Sequence, residues 1–578
     1  MIHVLDFEVT RYDWLVVIAS PLTQEERVIV NNPDELTQFY QEHKNDIFIG
    51  YNIREYDAYI FKAILAGFDP YEISNFIVNH KNKGYKFSNV LKEYPLNTFD
   101  LIQLNTSLKQ LEGFQGHAIY ESDVPFDIDR KLTPDELHEM IIYCKNDVQE
   151  TMNLFLMFKS DFDSQIELIN EFKLPLSYIS RTQTQLTATI LKAERYKCED
   201  EFNLTFPAYL DRIKKYKYIV DWYKDPENRD YKKSLKADVA GVPHIFAWGG
   251  LHGAIPKYHG EGYYLHIDVN SYYPSLMITH DYFSRAVPAE GKERFKRMYH
   301  ENLSLKKQIK TAPESEKEYL KRKRTAYKLI CNKTYGGFKD KYNALYDPLM
   351  SNNVTVTGQL ALLLLIEMLE PHVQLIQSNT DGLIIKLSSL DDYELVDDIA
   401  YEWEKLTGVK LGFDSVITKI FQKDVNNYLF VDCEGNIESK GAYVKSLSPT
   451  DNDLPILNKA LKEYMVNNTP IEETINRADD VIDFQKIVKL SSSYKYVMHN
   501  NEIYTNKCYR VFASKDPCDG IIYKCKSHDK RDKFANTPER CLIENGDVTG
   551  IKVPAVLDRE WYIQEAYKRL DQFGVENE

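Results

Sequence analysis

Two carboxylates occupy alternate positions in the N-terminal segment Ile2–Val9, whose apolar residues alternate as in a β-strand. Residues two apart in a strand lie on one face, so Asp6 and Glu8 point the same way. Neighbouring carboxylates repel and raise each other's pKa unless a cation lies between them. Oxygen ligands of this kind are those that divalent cations prefer. A divalent metal is the usual partner of such a pair, but a single Asp-x-Glu occurs by chance in most proteins and needs further motifs beside it.

Two further acids follow in separate segments, Asp57 and Asp147. Thr133 and Glu136 form a capping box with proline at the first helical position, which predicts a helix that continues past Asp147. Residues four apart lie on one face of a helix, so Tyr143 and Asp147 are expected to be neighbours.

A second set of acids comes from the middle of the chain. Leu265–Val269 alternates like a strand, and Asp268 lies on the face opposite its apolar residues. A carboxylate on a buried strand is costly unless it is paired or binds a metal. Leu375–Lys386 has the pattern of a β-hairpin, and Asp381 lies at its turn.

A polar stripe is predicted on a helix before that hairpin. Its members are spaced four, four and three residues apart: Arg324, Lys328, Asn332 and Tyr335. A lysine there can meet a triphosphate, and a tyrosine one turn further can stack on a base pair. A solvated helix face would give the same pattern, so the stripe alone leaves both interpretations open.

The charge is unevenly distributed along the 578 residues. The net charge is −15, yet Lys292–Lys341 holds 16 Lys and Arg against six Asp and Glu, and Lys507–Arg540 holds nine against five. A basic strip on an acidic body suits a protein that binds phosphate at one place. A solvated charged helix is the alternative for either run. The length predicts roughly three to five domains.

The cysteines and apolar runs predict a soluble, intracellular protein. Four of the eight cysteines fall between Cys508 and Cys541, near His528, but their spacing fits no common zinc site, so reduced thiols are expected. A strand pattern begins at once, without a signal peptide. The longest apolar run, Leu360–Ile366, is too short to span a bilayer, and no membrane association is expected.

The N-terminal acids occur in three ordered patterns: Asp6-x-Glu8, Asn52-x-x-x-Tyr56-Asp57 and Tyr143-x-x-x-Asp147. These resemble the three exonuclease motifs of DnaQ-like 3′→5′ proofreading domains. The resemblance implies that two metal ions are bound by Asp6, Glu8, Asp57 and Asp147, and that Tyr143 orients the attacking water. Ser107-Leu108-x-x-Leu111 resembles the single-strand-binding motif of family B exonucleases. It implies that Asn52, Tyr56, Ser107 and Leu108 hold a frayed primer end, although an ordinary helix start also explains the last two.

Three further segments resemble family B DNA polymerases: Asp268–Ser275 resembles motif A, Lys328–Gly336 motif B, and Asn379–Asp381 motif C. The resemblance spans residues 1 to about 445 in the family's order. It implies that Asp268, Asp381 and the Val269 carbonyl bind two Mg²⁺ or Mn²⁺ ions. The implied substrate contacts are Lys328 on the nucleotide phosphates, Tyr273 under the sugar, and Asn332 and Tyr335 around the nascent base pair. Arg324, on the same helical stripe, is a further expected substrate-binding residue. Lys440-Gly-Ala-Tyr443 approximates the KxY motif of the thumb, with one extra residue.

The resemblance also implies an architecture, a multidomain α+β and α/β protein with an RNase H-like exonuclease domain and a right-hand polymerase. The expected boundaries are an exonuclease domain at 1–165, a connecting segment at 166–245, a palm at 246–284 and 342–430, fingers at 285–341, and a thumb and C-terminal region at 431–578. The implied partners are primer-template DNA, single-stranded DNA, dNTPs and phage replication proteins, with a monomer acting in the host cytoplasm.

Some positions depart from the family pattern. Asn379 replaces the first aspartate of motif C, Gly382 the usual serine after it, and Lys333 the serine of motif B. The short spacing between the motifs leaves little room for the insertions of protein-primed phage enzymes, so a compact phage-type enzyme is favoured. Asn379 keeps open a second hypothesis, a decayed polymerase centre that serves as a nucleic-acid-binding scaffold. Reverse transcription or primer-independent synthesis is a third.

Overall fold

The computed structural model describes residues 1–23, 25–102, 106–441, 443–527 and 530–575, and it divides into two compact units. The first unit comprises Met1–Thr182, Leu447–Leu454 and Asp479–Asp558. The second comprises Gln183–Ser446, Pro455–Ala478 and Arg559–Glu578. Both mix helices with sheets.

The strands in chain order are β1 (Ile2–Val9), β2 (Trp14–Ala19), β3 (Glu26–Val30), β4 (Ile47–Gly50), β5 (Asn97–Asp100), β6 (Leu235–Val239), β7 (Val242–Phe246), β8 (His252–Ala254), β9 (Tyr258–Val269), β10 (Gln374–Ser378), β11 (Gly382–Leu387), β12 (Leu411–Phe413), β13 (Ile417–Asp424), β14 (Asn427–Asp432), β15 (Ile437–Lys440), β16 (Lys486–Lys489), β17 (Tyr496–His499), β18 (Glu502–Tyr504), β19 (Cys508–Ala513), β20 (Tyr523–Ser527), β21 (Lys530–Lys533) and β22 (Cys541–Ile543).

The α-helices are α1 (Pro33–His43), α2 (Asp57–Leu65), α3 (Pro70–Val78), α4 (Leu108–Phe114), α5 (Pro134–Met157), α6 (Lys159–Glu171), α7 (Gln183–Ile190), α8 (Lys217–Lys224), α9 (Tyr272–His280), α10 (Ala289–Thr311), α11 (Glu314–Lys339), α12 (Pro348–Leu369), α13 (Asp392–Thr407), α14 (Pro455–Asn467), α15 (Ile471–Arg477) and α16 (Arg559–Phe573).

The N-terminal part of the first unit is built on a five-stranded sheet in the order β3-β2-β1-β4-β5. The strand predicted at Ile2–Val9 is confirmed and lies at the centre, antiparallel to β2 and parallel to β4. Apolar side chains cover both faces of the sheet, with Leu5 and Phe7 in one core and Val4 in the other. Central strands with two buried faces are rigid supports for polar groups that must be held in place.

Helix α5 lies against the Val4 face of that sheet. The capping box at Thr133 and Glu136 is present, with Pro134 at the first helical position, so the predicted helix is confirmed. Its buried side chains join the core that contains Val4. The helix therefore presents Tyr143 and Asp147 toward strand β1, as their four-residue spacing requires.

The segment Asp479–Asp558 belongs to the first unit, where it forms the sheets β16-β19-β22 and β18-β17-β20-β21. Fully buried Arg510 joins it to the C-terminal end of α4 and the residues that follow, because its guanidinium donates to the carbonyls of Gly113 and His117 at 3.3 and 2.6 Å. The boundaries predicted at 165 and 431 stay predictions. The segment Asp479–Asp558, which the prediction assigns to the thumb and C-terminal region, belongs to the same unit as Met1–Thr182.

The second unit contains a ten-stranded sheet in which the long strand β9 pairs with β11, β12 and β13. The strand predicted at Leu265–Val269 is confirmed as the C-terminal part of β9. The predicted hairpin is also confirmed, as the antiparallel pair β10 and β11. Among the described residues, only α12 is long and apolar enough to cross a membrane, but nearly all of its residues are buried inside the structure, as expected of a core helix. The length and composition of α12 are therefore explained by its packing in the core of the second unit.

The basic segment Lys292–Lys341 lies mainly in two long helices, α10 and α11, which pack against each other and are separated at Ala312 and Pro313. Helix α10 ends at Thr311 because the next residue, Ala312, precedes Pro313, and the residue before a proline is biased away from helical backbone angles. Lys328 and Asn332 are exposed on α11, whereas Ile330 is buried. The polar stripe therefore lies on the accessible side of this helix.

Candidate active sites

Four carboxylates from three elements of the first unit form what we call the four-carboxylate site: Asp6, Glu8, Asp57 and Asp147. Strand β1 supplies the first two, the start of α2 supplies Asp57, and α5 supplies Asp147. The Phe7 N–H donates to Asp57 Oδ1 at 3.2 Å, which fixes that carboxylate beside β1. The structure therefore brings together all four acids singled out from the sequence.

Burial dominates the electrostatics of this site. It raises the pKa of Asp6 and of Glu8 well above their usual range, and the charges of neighbouring carboxylates raise them further. Burial likewise raises the pKa of Asp57, to about 7. Such a concentration of buried anions is unfavourable unless cations neutralise it. Oxygen ligands of Asp6 and Glu8 and the Cys144 sulfur lie within 4.8 Å of one another, so the donor set fits a divalent ion.

Lys109, which the sequence analysis missed, reaches into the four-carboxylate site from α4. Its ammonium contacts Asp147 Oδ1 and lies 3.0 Å from Glu112 Oε1, and it lies 4.7 Å from the centre of the Tyr143 ring. Burial opposes its charge, but the two carboxylates outweigh burial and raise the pKa of Lys109. Burial raises the pKa of Asp147 in spite of this ammonium. Lys109 and Asp147 form an ion pair, because the ammonium contacts the carboxylate directly.

Lys109→Met is expected to destabilise the metal-free protein by about 3–5 kcal/mol, because it leaves Asp147 and fully buried Glu112 without their cation. The measurement is urea unfolding in a chelating buffer. The double variant Lys109→Met/Glu112→Gln removes one of the stranded charges and should recover part of the loss. Equal stability of wild type and Lys109→Met would show that the ammonium does not neutralise the site.

The predicted residues around these acids occupy different settings. Tyr143 contacts the site, and burial raises its pKa, with Asp147 the next cause. Asn52 adopts a left-handed conformation with φ of 67°, and its N–H donates to Asp100 Oδ1 at 2.9 Å. The Tyr56 hydroxyl lies 2.8 Å from Ser74 Oγ.

The predicted strand-binding pair Ser107 and Leu108 lies at the start of α4. Ser107 is the N-cap, and its N–H donates to the Gln110 side chain at 3.2 Å. Leu108 packs against the core of the first unit. Both contacts explain these residues as a helix start, and the predicted role in holding a primer end stays a prediction.

Asp268 and Asp381 of the second unit form what we call the hairpin site. Strand β11 pairs with β9 so that Gly382 lies opposite Asp268. The Val269 N–H donates to the Asp381 carbonyl at 2.7 Å, which joins the two acidic segments directly. Burial raises the pKa of Asp268 to about 6, and the charge of Asp381 contributes to this rise. Two residues more than 100 positions apart in sequence are therefore neighbours.

The tight turn that carries Asp381 is closed by Asn379. Asn379 Oδ1 accepts hydrogen bonds from the N–H groups of Asp381 and Gly382 at 3.1 and 2.7 Å. A side chain at Gly382 would place its Cβ 2.7 Å from the Ile267 carbonyl oxygen, so the close approach of β9 requires glycine there. The departures at 379 and 382 thus have structural reasons in this turn.

Gly250, in the glycine-rich turn before β8, packs against the same turn. A Cβ on Gly250 would lie 2.5 Å from Thr380 Oγ1. Gln359 of α12 donates to the carbonyls of Ala247 and Gly249 at 2.9 and 2.7 Å, which holds this segment in place. The hairpin tip therefore packs against the Gly250 turn, which Gln359 of α12 holds in place.

A third carboxylate near Asp268 escaped the sequence analysis. Asp414 follows β12, and its Oδ2 lies 3.0 Å from His266 Nδ1. Its charge contributes to the raised pKa of Asp268. Asp268 and His266 share one face of β9, and this alternation was the sequence signal that identified the polar face of the strand. The partner acid could not be found because it comes from another strand.

Two tyrosines predicted to meet the nucleotide are in contact. The Tyr273 and Tyr335 ring centres lie 4.4 Å apart, although one ring comes from α9 and the other from α11. Burial raises the pKa of Tyr273, with contributions from Tyr335 and Asp381. The α9 turn is anchored by Ser275, whose hydroxyl donates to the Asn270 carbonyl at 2.8 Å. Tyr273 therefore lies between the polar stripe and the hairpin site.

The pair Lys440 and Tyr443 lies at the C-terminal edge of the sheet. Lys440 ends β15 and is exposed. The Tyr443 hydroxyl donates to Gln572 Oε1 at 2.9 Å, and Lys423 Nζ and the Arg569 guanidinium lie 4.7 and 4.9 Å from its ring centre. The cations beside this ring suit a phosphate-binding surface, and the predicted DNA contact stays a prediction.

Among the described residues, Cys508 and the cysteines after it form no cluster of three metal-binding side chains. His528, which the zinc alternative requires, lies outside the described residues. All eight cysteines are free.

Comparison with known proteins finds similarity in structure but not in sequence. No protein-family model matches the chain, and no curated protein is detectably similar. The chain resembles the solved structure of the family B DNA polymerase from the hyperthermophilic archaeon Pyrobaculum calidifontis, with 13% sequence identity and a TM-score of 0.45. The alignment covers 100% of this chain and 78% of that chain. The function is therefore argued from the geometry of the two sites.

Proposed function

We propose that the chain is a DNA-directed DNA polymerase of the family B type that also carries a 3′→5′ proofreading exonuclease. The observation that carries the polymerase assignment is the direct pairing of the Asp268 and Asp381 segments, from the Val269 N–H to the Asp381 carbonyl at 2.7 Å. The four clustered carboxylates of the first unit, three of them buried and Asp6 half-buried, support the exonuclease assignment. Divalent cations such as Mg²⁺ or Mn²⁺, bound at both sites, would neutralise phosphate charge and activate the attacking oxygen.

In the exonuclease reaction, the four-carboxylate site would hold the ions through Asp6, Glu8, Asp57 and Asp147. The Tyr143 hydroxyl, whose raised pKa keeps it protonated, can donate a hydrogen bond and so orient a water molecule. Lys109 balances the negative charge of the site before ions and substrate arrive. Asn52, Tyr56, Ser107 and Leu108 are proposed to hold the single-stranded end.

In the polymerase reaction, the hairpin site would hold the ions through Asp268, Asp381 and the carbonyl of Val269. Lys328 and Arg324, from the accessible stripe of α11, are proposed to bind the triphosphate. The Tyr273 ring, which contacts Tyr335, is proposed to lie under the sugar and to exclude a 2′-hydroxyl. Positioning of this kind supplies most of the catalysis in phosphoryl transfer.

The finer assignments belong to the same proposal. They are a palm at 246–284 and 342–430, fingers at 285–341, a compact phage-type enzyme, and a monomer that works in the host cytoplasm with replication proteins. Because DNA is held through its phosphates, binding should weaken steeply as salt increases.

Asn379 separates the active enzyme from the rival scaffold. If Asn379 acts by closing the turn, Asn379→Asp should keep primer extension within a few-fold of wild type, because aspartate retains the acceptor oxygen. Asn379→Ala should lower it by about 30-fold, since two hydrogen bonds of about 1 kcal/mol each are lost. Single-turnover extension rates measure both. Equal rates for the alanine variant and wild type would contradict this role.

The test of the proposed function is extension of a labelled primer on a primed circular template with Mg²⁺ and all four dNTPs, with the exonuclease disabled by Asp6→Ala. Full-length product supports the polymerase. Binding of DNA without extension would favour the scaffold. Parallel reactions on an RNA template and on an unprimed template distinguish reverse transcription and primer-independent synthesis.

A further inference from the structure

Three side chains with metal-binding atoms meet at the N-terminal end of β1, and neither proposed reaction uses them. His3 Nε2 lies 3.0 Å from Asp46 Oδ2, and His43 Nδ1 lies 2.8 Å from the same oxygen. One donor atom from each of the three residues lies within 4.8 Å of the others. Two imidazoles therefore converge on one carboxylate oxygen.

The two imidazole rings are held by aromatic packing. The His3 ring centre lies 5.3 Å from that of Phe39 and 5.7 Å from that of Phe48. His43 is the last residue of α1, and its ring centre lies 4.6 Å from that of His3 in an edge-to-face arrangement. Rings confined in this way keep their nitrogen atoms in place without a ligand.

The carboxylate is positioned through its backbone. The Asp46 N–H donates to the His43 carbonyl at 2.8 Å, and the Asp46 carbonyl accepts from Asn97 Nδ2 at 3.1 Å. Parallel pairing of β1 with β4 places His3 beside Phe48, two residues after Asp46 in the chain. Strand, helix end and turn therefore fix the three donors independently of one another.

The cluster is separate from the four-carboxylate site. Alternation along β1 puts His3 on the face of Leu5 and Phe7, opposite the face of Asp6 and Glu8. Three residues along a strand add about 10 Å between His3 and Asp6. An ion at one place therefore does not share ligands with an ion at the other.

We propose that His3, His43 and Asp46 bind a transition-metal ion of the Zn²⁺ class. Imidazole nitrogen favours Zn²⁺, Co²⁺ or Ni²⁺ over Mg²⁺, which prefers oxygen. Tetrahedral bonds of about 2.0–2.1 Å put ligand atoms about 3.3 Å apart. The present N···O separations of 2.8 and 3.0 Å therefore need to open by only about 0.5 Å.

The alternative is a network of hydrogen bonds in which Asp46 only accepts. The Met1 amino group lies 2.6 Å from Asp46 Oδ1, so it occupies the other oxygen and leaves Oδ2 to the imidazoles. The side chains of His43 and Asp46 are 17% and 18% exposed, which lets an ion and a completing water reach them. Direct measurement of metal binding distinguishes the two.

The experiment uses the full chain, stripped of metal and then kept in millimolar Mg²⁺ so that sites made of oxygen alone are filled. Titration with Co²⁺ should give the visible spectrum of a tetrahedral ion with one equivalent bound per chain. Zn²⁺ should displace it and raise Tm by several degrees, because an ion that binds only the folded state stabilises it. His43→Gln should lose the spectrum and the Tm shift, whereas His80→Gln, an exposed histidine of the same unit, should keep both.

Asp46→Asn is a second test variant, in case His43→Gln fails to fold. It keeps an acceptor oxygen for the imidazoles but should also lose the Co²⁺ spectrum and the Tm shift. Both variants should keep Mg²⁺-dependent exonuclease activity, so failure of the metal site is distinguishable from failure of the proposed function. Two results would overturn the site: no Zn²⁺-dependent Tm shift in the wild type, or unchanged Co²⁺ binding in both His43→Gln and Asp46→Asn.

Discussion

Asp381→Ala is expected to lower primer extension by at least about 10³-fold, since loss of several kcal/mol of charge stabilisation at the transferred phosphate corresponds to that factor. The residue is exposed at the tip of a turn, so its loss should barely affect folding. Its carbonyl still accepts from the Val269 N–H in the variant, which preserves the strand pairing. The measurement is single-turnover extension of a labelled primer by one nucleotide.

Asp397→Ala provides the matched control, because Asp397 is also an exposed aspartate of the second unit and lies on α13. It should extend primers at the wild-type rate. Degradation of a single-stranded oligonucleotide by Asp381→Ala should continue unchanged. If Asp381→Ala extends primers as fast as the control, the hairpin site is not the polymerase centre.

Asp6→Ala is expected to give the opposite result, with exonuclease activity lowered by at least about 10³-fold and primer extension retained. Removing one of several mutually repelling carboxylates should also stabilise the metal-free protein, because desolvation and neighbouring charges raise the pKa of Asp6. A 3′-labelled single-stranded oligonucleotide reports the activity, and Tm in a chelating buffer reports the stability.

The control for this variant is Asp161→Ala, on an exposed position of α6 in the same unit. It should degrade the oligonucleotide normally. The two active-site variants together make a reciprocal pair, since each should remove one activity and leave the other. Loss of both activities in Asp6→Ala would point to a folding defect or to a single shared centre, and would contradict the assignment of two sites.

Local sequence patterns predicted the elements that carry the chemistry. Alternation identified β1 and the end of β9, the capping box identified α5, and the Asn-Thr-Asp-Gly turn identified the β10–β11 hairpin. Each signal is contained in one element, where the backbone repeat alone decides which side chains share a face.

Convergence between elements could not be predicted in this way. Lys109 lies in a short helix between two motifs, and only the packing of α4 against α5 brings its ammonium to Asp147. The grouping of Asp479–Asp558 with the N-terminal sheet likewise depends on contacts such as that of Arg510 with His117.

What the sequence determined by itself was therefore the identity of the carboxylates and the strands and helices that carry them. What only the tertiary structure decided was which distant groups meet: Lys109 with Asp147, Asn379 with its own turn, Asp414 beside Asp268, and the two histidines at Asp46. The physical reason is that periodicity fixes orientation within an element, whereas strand register and helix packing, which fix distances between elements, depend on the whole core.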